Sequence, residues 1–413
     1  MAEDRGVLRE IAWREVFPWL GIVRCVRLAL APRLLLLAAL GLVATSVGWR
    51  MIGGIYSDSD DLHKLHWIAA DSEWPWRAQL QSVPSLSFNG LDPSVSPVLQ
   101  TGQWLTAPFR RMFLAPSPDA VVGIVPFTYT LLCGLWELAV WALIGGAITR
   151  IAALALARES RLSLTDGLRF GTVKWLQYFL AALFPLLGVI VLSLVAGVVF
   201  GLIMRADFGF LVMSFFWPLM LLAGLVMAIL LLGLVFGWAL MWPTVSVEGT
   251  DSFDALSRSY SYTFQRPFHY LFYAIVAGVL GLLAAHVVIY FVAWTNWLAL
   301  WSASWGSGAA RAKEIGNLLR TAPLPEDTPW SVSTGVKVLN FWTDCVMLLG
   351  AAYLYSFLWT AATAVYYLLR QSVDGTEPDE VAVEREEETF SLPPLKSDES
   401  GMPQVADPKN GGK

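Results

Sequence analysis

The sequence predicts an all-α, multi-pass membrane protein, and two features of its composition carry this prediction. Of its 413 residues, 56% are hydrophobic and only 15% are charged, and the mean hydropathy is +0.56. A soluble globular protein of this length does not need so apolar a composition. Several nearly uncharged windows are also long enough, at about twenty residues, to cross the hydrocarbon of a bilayer as helices.

Six apolar windows are predicted to form the transmembrane helices. They cover residues 34–55, 120–149, 175–204, 208–243, 268–294 and 336–369. Eight spans would require the long connections 56–118 and 295–335 to cross as well, and their Asp, Pro, Ser and Arg content argues against that. The predicted organisation is an amphipathic N-terminal segment (1–33), a six-helix domain (34–370) and a tail (371–413).

Basic residues near the span ends predict that both termini are cytoplasmic. They cluster before the first span, between the second and third, between the fourth and fifth, and after the sixth. They are Arg5, Arg9, Arg14, Arg24, Arg27, Arg33, Arg150, Arg158, Arg161, Arg169, Lys174, Arg258, Arg266 and Arg370. The two long connections are then expected on the outer side.

Both outer connections are rich in tryptophan, which favours the headgroup region of a bilayer. The residues are Trp67, Trp74, Trp76 and Trp104 in the first connection and Trp297, Trp301, Trp305 and Trp330 in the second. We expect these connections to lie along the membrane surface, with short helices near 98–115 and 306–322.

Each odd-numbered span follows a segment with the pattern of an interfacial helix. "GTDSFDALSRSYSYTF" precedes the fifth span, "SLTDGLRFGTVKWLQYF" the third, and the basic "WREVFPWLGIVRCVRLALAPR" the first. Apolar residues at helical spacing with polar residues between them are typical of helices that lie in the interface. The sequence therefore predicts a pseudo-repeat of three helical hairpins, each preceded by a cytoplasmic amphipathic helix.

A phrase of closely spaced acids occurs twice, as "VEGTDSFDALSRSY" at 247–260 and "VDGTEPDEV" at 373–381. In the first copy Thr250, Asp251 or Ser252 can cap the following helix, and Asp254 suits the positive end of its dipole. Gly249 allows a sharp turn after the fourth span. A metal site is the alternative, but no histidine lies nearby and the alternating ligands of an EF-hand are absent. No metal or cofactor is predicted.

Three ionisable residues inside the predicted spans are candidates for function: Glu137, His286 and Asp344. Such residues often line a transport path, and they also occur as polar contacts between helices. In the first interpretation the three residues form a proton- or ion-coupled path. In the second each one is satisfied by a neighbouring helix or by interfacial water.

Two glycine pairs with i, i+4 spacing offer flat helix faces for close packing. They are Gly197 with Gly201 and Gly233 with Gly237. Near the fifth span, Arg258 and Arg266 form a polar cytoplasmic patch. They can bind lipid headgroups or a partner, or simply hold their helix at the interface.

The tail from Gln371 onward is acidic and is predicted to be disordered. It holds eleven acidic and four basic residues. Within it Phe390, Leu392, Pro393 and Pro394 form a small apolar motif that can dock onto a protein, although a solvated tail is the simpler interpretation.

The stretches Gly145–Phe170, Val247–Ala274 and Tyr366–Val381 resemble uncharacterised planctomycete-type integral membrane proteins, most specifically in "DALSRSYSYTFQRP". The phrase "DALSRS" before the fifth span is also distantly similar to the membrane domain of some glycerophosphodiester phosphodiesterases, without their catalytic domain. This resemblance implies a fold and a location in the bacterial inner membrane, but no activity.

The sequence carries no HExxH, Walker or dinucleotide-binding glycine motif, and no basic patch typical of nucleic-acid binding. We therefore expect a non-enzymatic integral membrane protein that serves scaffolding, assembly or lipid organisation. Its expected partners are membrane lipids and a protein bound through the tail or the surface helices. The alternative is a small transporter or channel that uses Glu137, His286 and Asp344.

Overall fold

A computed structural model of the chain describes residues 17–56, 97–114, 124–158, 162–320, 325, 328–376 and 380–382. Every regular element in these ranges is a helix, and all the helices belong to the compact unit Met1–Val381. The predicted acidic tail beyond residue 382, the first sixteen residues and most of the connection 56–118 lie outside the described residues. So do Trp67, Trp74 and Trp76.

Thirteen α-helices follow a 3₁₀ turn at Pro18–Ile22 in the described ranges, with one π-helical turn among them at Gly197–Gly201. They are α1 (Val23–Ala29), α2 (Pro32–Ile55), α3 (Pro97–Leu105), α4 (Ala107–Leu114), α5 (Ile124–Ala157), α6 (Leu164–Val173) and α7 (Trp175–Ala196). The remaining helices are α8 (Asp207–Phe215), α9 (Trp217–Glu248), α10 (Ser252–Gln265), α11 (Pro267–Ser307), α12 (Ala309–Arg320) and α13 (Trp330–Asp374).

Six of the described helices are long and apolar enough to cross a membrane: α2, α5, α7, α9, α11 and α13. The all-helical fold and the number of candidate spans agree with the prediction from sequence. This architecture is compatible with a multi-pass membrane protein. Apolar side chains cover the outside of the long helices, for example Leu222, Leu225 and Ile229 on α9, as expected where the solvent is hydrocarbon.

The ends of the long helices differ from the ends of the predicted spans, because hydropathy identifies the apolar run and not the end of the helix. Helix α11 continues to Ser307, and its last turns carry Trp297, Trp301 and Trp305 on one exposed face. Neighbouring indole rings of this face are 6.0 Å and 5.3 Å apart. The predicted fourth span, in contrast, is divided into two helices at Phe216, and Pro218 lies in the first turn of the second helix, α9.

Helices α5, α9 and α13 contact one another and form the centre of the molecule. Helix α2 lies against α5 and α13, α7 lies against α9, and α11 lies against α13. The most deeply buried stretches are the C-terminal parts of α5, α9 and α13, where these three helices meet. The bundle is therefore most tightly packed at one end.

Three short helices, α1, α6 and α10, each place two small buried residues against a long helix. The pairs, all spaced i, i+4, are Cys25 and Ala29, Gly167 and Gly171, and Ala255 and Ser259. The long helices that they contact are α13, α5 and α9, in that order. Small residues at this spacing allow close approach of two helix backbones.

Helices α6 and α10 begin with equivalent caps. The Ser163 side chain accepts a hydrogen bond from the Asp166 amide at 3.1 Å, and the Asp251 side chain accepts one from the Asp254 amide at 2.8 Å. Thr250, also considered as a cap, precedes the N-cap position by one residue, and its buried hydroxyl has no hydrogen-bond partner among the residues that the structure describes. The N-cap of α10 is therefore Asp251.

The two copies of the acidic phrase end their helices in the same way. Gly249 follows α9 and Gly375 follows α13, and both have φ 67°. This left-handed conformation is strained for residues with a Cβ atom. Glu248 and Asp374 are therefore the last helical residues of equivalent C-termini.

Candidate functional site: an apolar cavity beside Glu137

A cavity of about 530 Å³ lies between α3, α4, α5, α7, α9, α11 and α13. Most of its lining side chains are apolar, and they include Leu138, Leu186, Leu234, Ala277, Leu358 and Val365. The exposed side chains of Val235 on α9 and Ala274 on α11 also line it, so the cavity reaches the surface between these two helices. Its volume and lining are those of a site for a small apolar or amphiphilic ligand.

Small residues create this space. Ala182, Ala274, Ala277, Gly278 and Ala362 all line the cavity, and a Cβ atom added at Gly278 would meet nothing within 4 Å. Three long helices, α7, α11 and α13, thus face the cavity with side chains too short to fill it. Closely packed interiors leave few such voids. The cavity exists because the side chains at these positions are small.

Tryptophan rings form a rigid wall on one side of the cavity. Trp242 stacks on Trp359 with ring centroids 4.3 Å apart, and Trp238 meets Trp359 edge-on at 5.6 Å. Gly145 on α5 permits this packing, because a Cβ atom there would lie 2.4 Å from the Trp242 ring. The Trp242 indole donates a hydrogen bond to Tyr178 O at 3.0 Å. The aromatic wall is therefore fixed by its neighbours and does not collapse into the cavity.

Glu137 on α5 lines the same cavity and is only 2% exposed. Neither of its carboxyl oxygens has a hydrogen-bond partner among the described residues. Buried polar groups are almost always paired, and leaving a carboxyl unpaired away from water is unfavourable. Two further residues of the same lining, Trp141 and Trp359, have buried indole nitrogens with no partner in the described part of the chain. The cavity therefore combines apolar walls with unsatisfied polar groups.

Helices α3 and α4 close part of the cavity. The helix expected near 98–115 is present as this pair, but it enters the bundle instead of lying only along the surface. Trp104 lies between Trp49 and Tyr355, at centroid distances of 4.8 Å and 5.5 Å. Phe109 packs on Gly134, where a Cβ atom would lie 2.8 Å from the ring. Gly134 is ten residues into α5, about 15 Å along its axis. Hydropathy missed this insertion because the segment is too short for a span.

The cavity does not bring the three ionisable candidates together. Glu137 lines it, whereas His286 and Asp344 are half-buried elsewhere on α11 and α13. His286 Nδ1 lies 2.8 Å from Leu282 O of its own helix. Among the described residues, no group of three His, Cys, Asp or Glu side chains is placed to hold a metal ion.

A second polar cluster, here called the polar junction, joins the C-terminal parts of α5, α9 and α13. Its residues are Thr149, Arg150, Ser246, Glu248, Tyr366 and Arg370. Arg150 is buried, donates to Ser246 O at 2.6 Å and lies 4.1 Å from the Phe170 ring centroid. Thr149 Oγ1 and Ser246 Oγ are 2.6 Å apart. These bonds tie α5 to α9.

Glu248 is the centre of the other half of the polar junction. It pairs with Arg258 at 2.8 Å and with Arg370 at 3.5 Å, and it accepts a hydrogen bond from the Tyr366 hydroxyl. The equivalent acid, Asp374, accepts a hydrogen bond from Tyr262. The sequence offered no signal for the contacts of Glu248 with Tyr366 and Arg370 or of Asp374 with Tyr262, because these partners are more than a hundred residues apart along the chain.

Arg258, a candidate for headgroup binding, is engaged within the chain. Its guanidinium contacts both Glu248 and Asp254. Burial acts against its charge, but the two carboxylates outweigh that effect and raise the pKa of Arg258 above its ordinary value. Arg266 is exposed at the junction between α10 and α11. The polar patch thus contains one internally paired arginine and one exposed arginine.

The glycine pairs have different surroundings. Gly233 and Gly237 receive α10, since added Cβ atoms would lie 2.3 Å from Tyr260 and 2.7 Å from Ser259. Ser259 Oγ also donates to Gly237 O at 2.6 Å. Cβ atoms at Gly197 and Gly201 would meet nothing within 4 Å. Of the two pairs, only Gly233 with Gly237 makes a close helix contact within the described part of the chain.

Comparison with protein-family models, with curated proteins and with solved structures finds no match for the chain.

Proposed function

We propose that the chain is a non-enzymatic integral membrane protein of the bacterial inner membrane that organises lipid by holding a lipid molecule between its helices. The cavity beside Glu137 carries this proposal. It is lined almost entirely by apolar side chains, it lies among helices long enough to cross a membrane, and it reaches the surface between α9 and α11. An opening on that side faces the acyl chains of the surrounding bilayer.

The proposed arrangement in the membrane is three helical hairpins, each preceded by a cytoplasmic interfacial helix. The hairpins are α2 with α5, α7 with α9, and α11 with α13, and the interfacial helices are α1, α6 and α10. Contacts within each pair of long helices support this arrangement. The polar junction and the cytoplasmic termini then lie on the same side, where the acidic tail is available to a protein partner. The resemblance to planctomycete-type membrane proteins remains part of this proposal.

Transport is the alternative function, and it requires Glu137, His286 and Asp344 to line a common path. The cavity contains only the first of these residues. The apolar lining also suits an acyl chain better than a hydrated ion. These observations favour lipid organisation over transport.

The test is retention of lipid by the purified protein. The protein is released into nanodiscs of its own membrane lipid, transferred to detergent, and examined by native mass spectrometry. We expect the unaltered protein to keep about one lipid molecule, and Gly278→Leu to lose it because the new side chain fills the cavity. The matched control is Gly197→Leu, which adds the same side chain to a long apolar helix at an open position away from the cavity. Equal retention by all three proteins would contradict the proposal.

A further inference from the structure

Glu137 requires a hydrogen-bond donor that the described part of the chain does not supply. Its carboxyl group is buried on a wall of apolar and aromatic side chains, and both oxygens lack partners. Buried carboxyl groups are almost always paired, and a ligand in the cavity can supply the partner. Because two acceptor oxygens are unpaired, the best complement is a cationic group with several N–H donors, such as a primary ammonium.

Arg110 brings the opposite charge to the same cavity. It belongs to α4, it is exposed, and it lines the cavity at the rim. Its neighbour Phe109 packs on Gly134, which precedes Glu137 by three residues on α5. Three residues correspond to about 4.5 Å along a helix, so α4 carries Arg110 into the bundle near the level of Glu137. The cavity therefore has one carboxyl group and one guanidinium group in its lining, both available to a single ligand.

Deepening the proposed function, on which this inference rests, we propose that the cavity binds an aminophospholipid headgroup. The primary ammonium of the lipid donates to Glu137, and its phosphate accepts hydrogen bonds from Arg110. Arginine matches phosphate geometry, and charge-assisted hydrogen bonds are stronger in a site that excludes water. The acyl chains leave between α9 and α11, where Val235 and Ala274 are exposed.

The chemistry of the headgroup makes the proposal specific. Phosphatidylethanolamine has three N–H donors on its nitrogen, whereas phosphatidylcholine has the same phosphate and a nitrogen with no N–H group. Only the first can satisfy Glu137 by hydrogen bonds. Both can use Arg110. The two residues are therefore expected to affect lipid binding in different ways.

The experiment measures which lipid the protein retains from nanodiscs that contain equal amounts of phosphatidylethanolamine and phosphatidylcholine with identical acyl chains. Native mass spectrometry after detergent transfer gives the ratio of the two bound lipids. We expect the unaltered protein to prefer phosphatidylethanolamine by about tenfold, the size of one charge-assisted hydrogen bond.

Two variants separate the roles of the two residues. Glu137→Gln keeps the shape, removes the charge and replaces one acceptor oxygen with an NH2 donor, so the ratio should fall toward one. Arg110→Gln should reduce retention of both lipids by a similar factor and leave the ratio unchanged. Arg205→Gln, an exposed arginine away from the cavity, is the control and should change neither value. Thermal unfolding in the same nanodiscs checks that each variant is folded.

The outcomes distinguish this inference from the proposed function. If the unaltered protein retains lipid without preference, or if Glu137→Gln keeps the preference, the headgroup assignment is wrong and lipid organisation stands. If the unaltered protein retains no lipid at all, both proposals fail.

Discussion

Two glutamates in this protein have opposite surroundings. Within the ranges that the structure describes, Glu137 is buried in the cavity wall without a hydrogen-bond partner, whereas Glu248 is held by two arginines and a tyrosine hydroxyl. An unpaired buried polar group lowers the stability of the native protein, so replacing it with an apolar residue raises the free energy of unfolding. Removing one member of a buried ion pair lowers the free energy of unfolding, because the remaining partner loses its counter-charge. Replacing each glutamate with the same apolar residue should therefore give effects of opposite sign.

We expect Glu137→Leu to raise the free energy of unfolding by about 1–3 kcal/mol in nanodiscs that contain only phosphatidylcholine. Glu248→Leu should lower it by roughly 3 kcal/mol, because Arg370 is left without its carboxylate. Thermal unfolding of both variants in the same nanodiscs measures the difference. A loss of stability in Glu137→Leu would mean that its carboxyl group has a partner within the protein.

Cys25 provides a test of burial at the level of one thiol. Its side chain is fully buried between α1 and α13, its Sγ lies 3.5 Å from Thr360 O, and burial raises the pKa of the thiol to about 12. An exposed thiol has a pKa of about 8.5 and reacts faster with a maleimide as pH rises from 7 to 9. Native Cys25 should remain unlabelled by a maleimide at both pH values.

The control for this labelling is Thr172→Cys, at an exposed position of α6, in a chain whose native cysteines are replaced by alanine. It should react within minutes and faster at pH 9. Reaction of native Cys25 at a similar rate would show that α1 does not pack on α13 as described.

Single residues were only partly predictable from the sequence. Charge inside an apolar run identified Glu137 as unusual, since that signal is local. The pairing of Glu248 with Arg370 was not visible, because it depends on two helix ends that meet only in the folded chain. The spacing of Asp251 and Asp254 indicated a helix start, and here the local rule was sufficient because a cap reaches only three residues along the chain.

At the scale of elements, α10 packs closely on α9 because two positions of α9, Gly233 and Gly237, have no side chain. Tyr260 covers Gly233 and its hydroxyl donates to Leu230 O at 2.8 Å, while Ser259 bonds to Gly237 O. The sequence indicated a flat face at these glycines, but not which helix would occupy it. An i, i+4 pair of small residues fixes only the shape of the surface that carries it.

We expect Gly233→Leu to displace α10 and lower the free energy of unfolding by about 1–3 kcal/mol, since overpacking forces neighbouring side chains to move. Gly197→Leu, whose added side chain meets open space, should change it by less than about 0.5 kcal/mol. Limited proteolysis near Arg266, together with thermal unfolding, measures both effects. Equal stability of the two variants would remove the evidence for the α9–α10 contact.

At the scale of the molecule, hydropathy was sufficient to predict six long helices but not their arrangement. The central position of α5, α9 and α13 depends on polar contacts at their C-terminal ends, such as the bond from Tyr367 to Ala153 O at 3.1 Å. The insertion of α3 and α4 depends on the space above Gly134. Neither feature has a periodic signal in the sequence. The cavity lies where these short helices meet the long ones.

A cryo-EM reconstruction of the protein in nanodiscs made from its own membrane lipid would show directly whether the cavity holds lipid. We expect elongated, non-protein density that begins beside Glu137, fills the cavity and leaves between α9 and α11. The same density should be absent in Gly278→Leu. A cavity closed by protein side chains, or one that contains only isolated water, would contradict the central claim that this protein holds lipid between its helices.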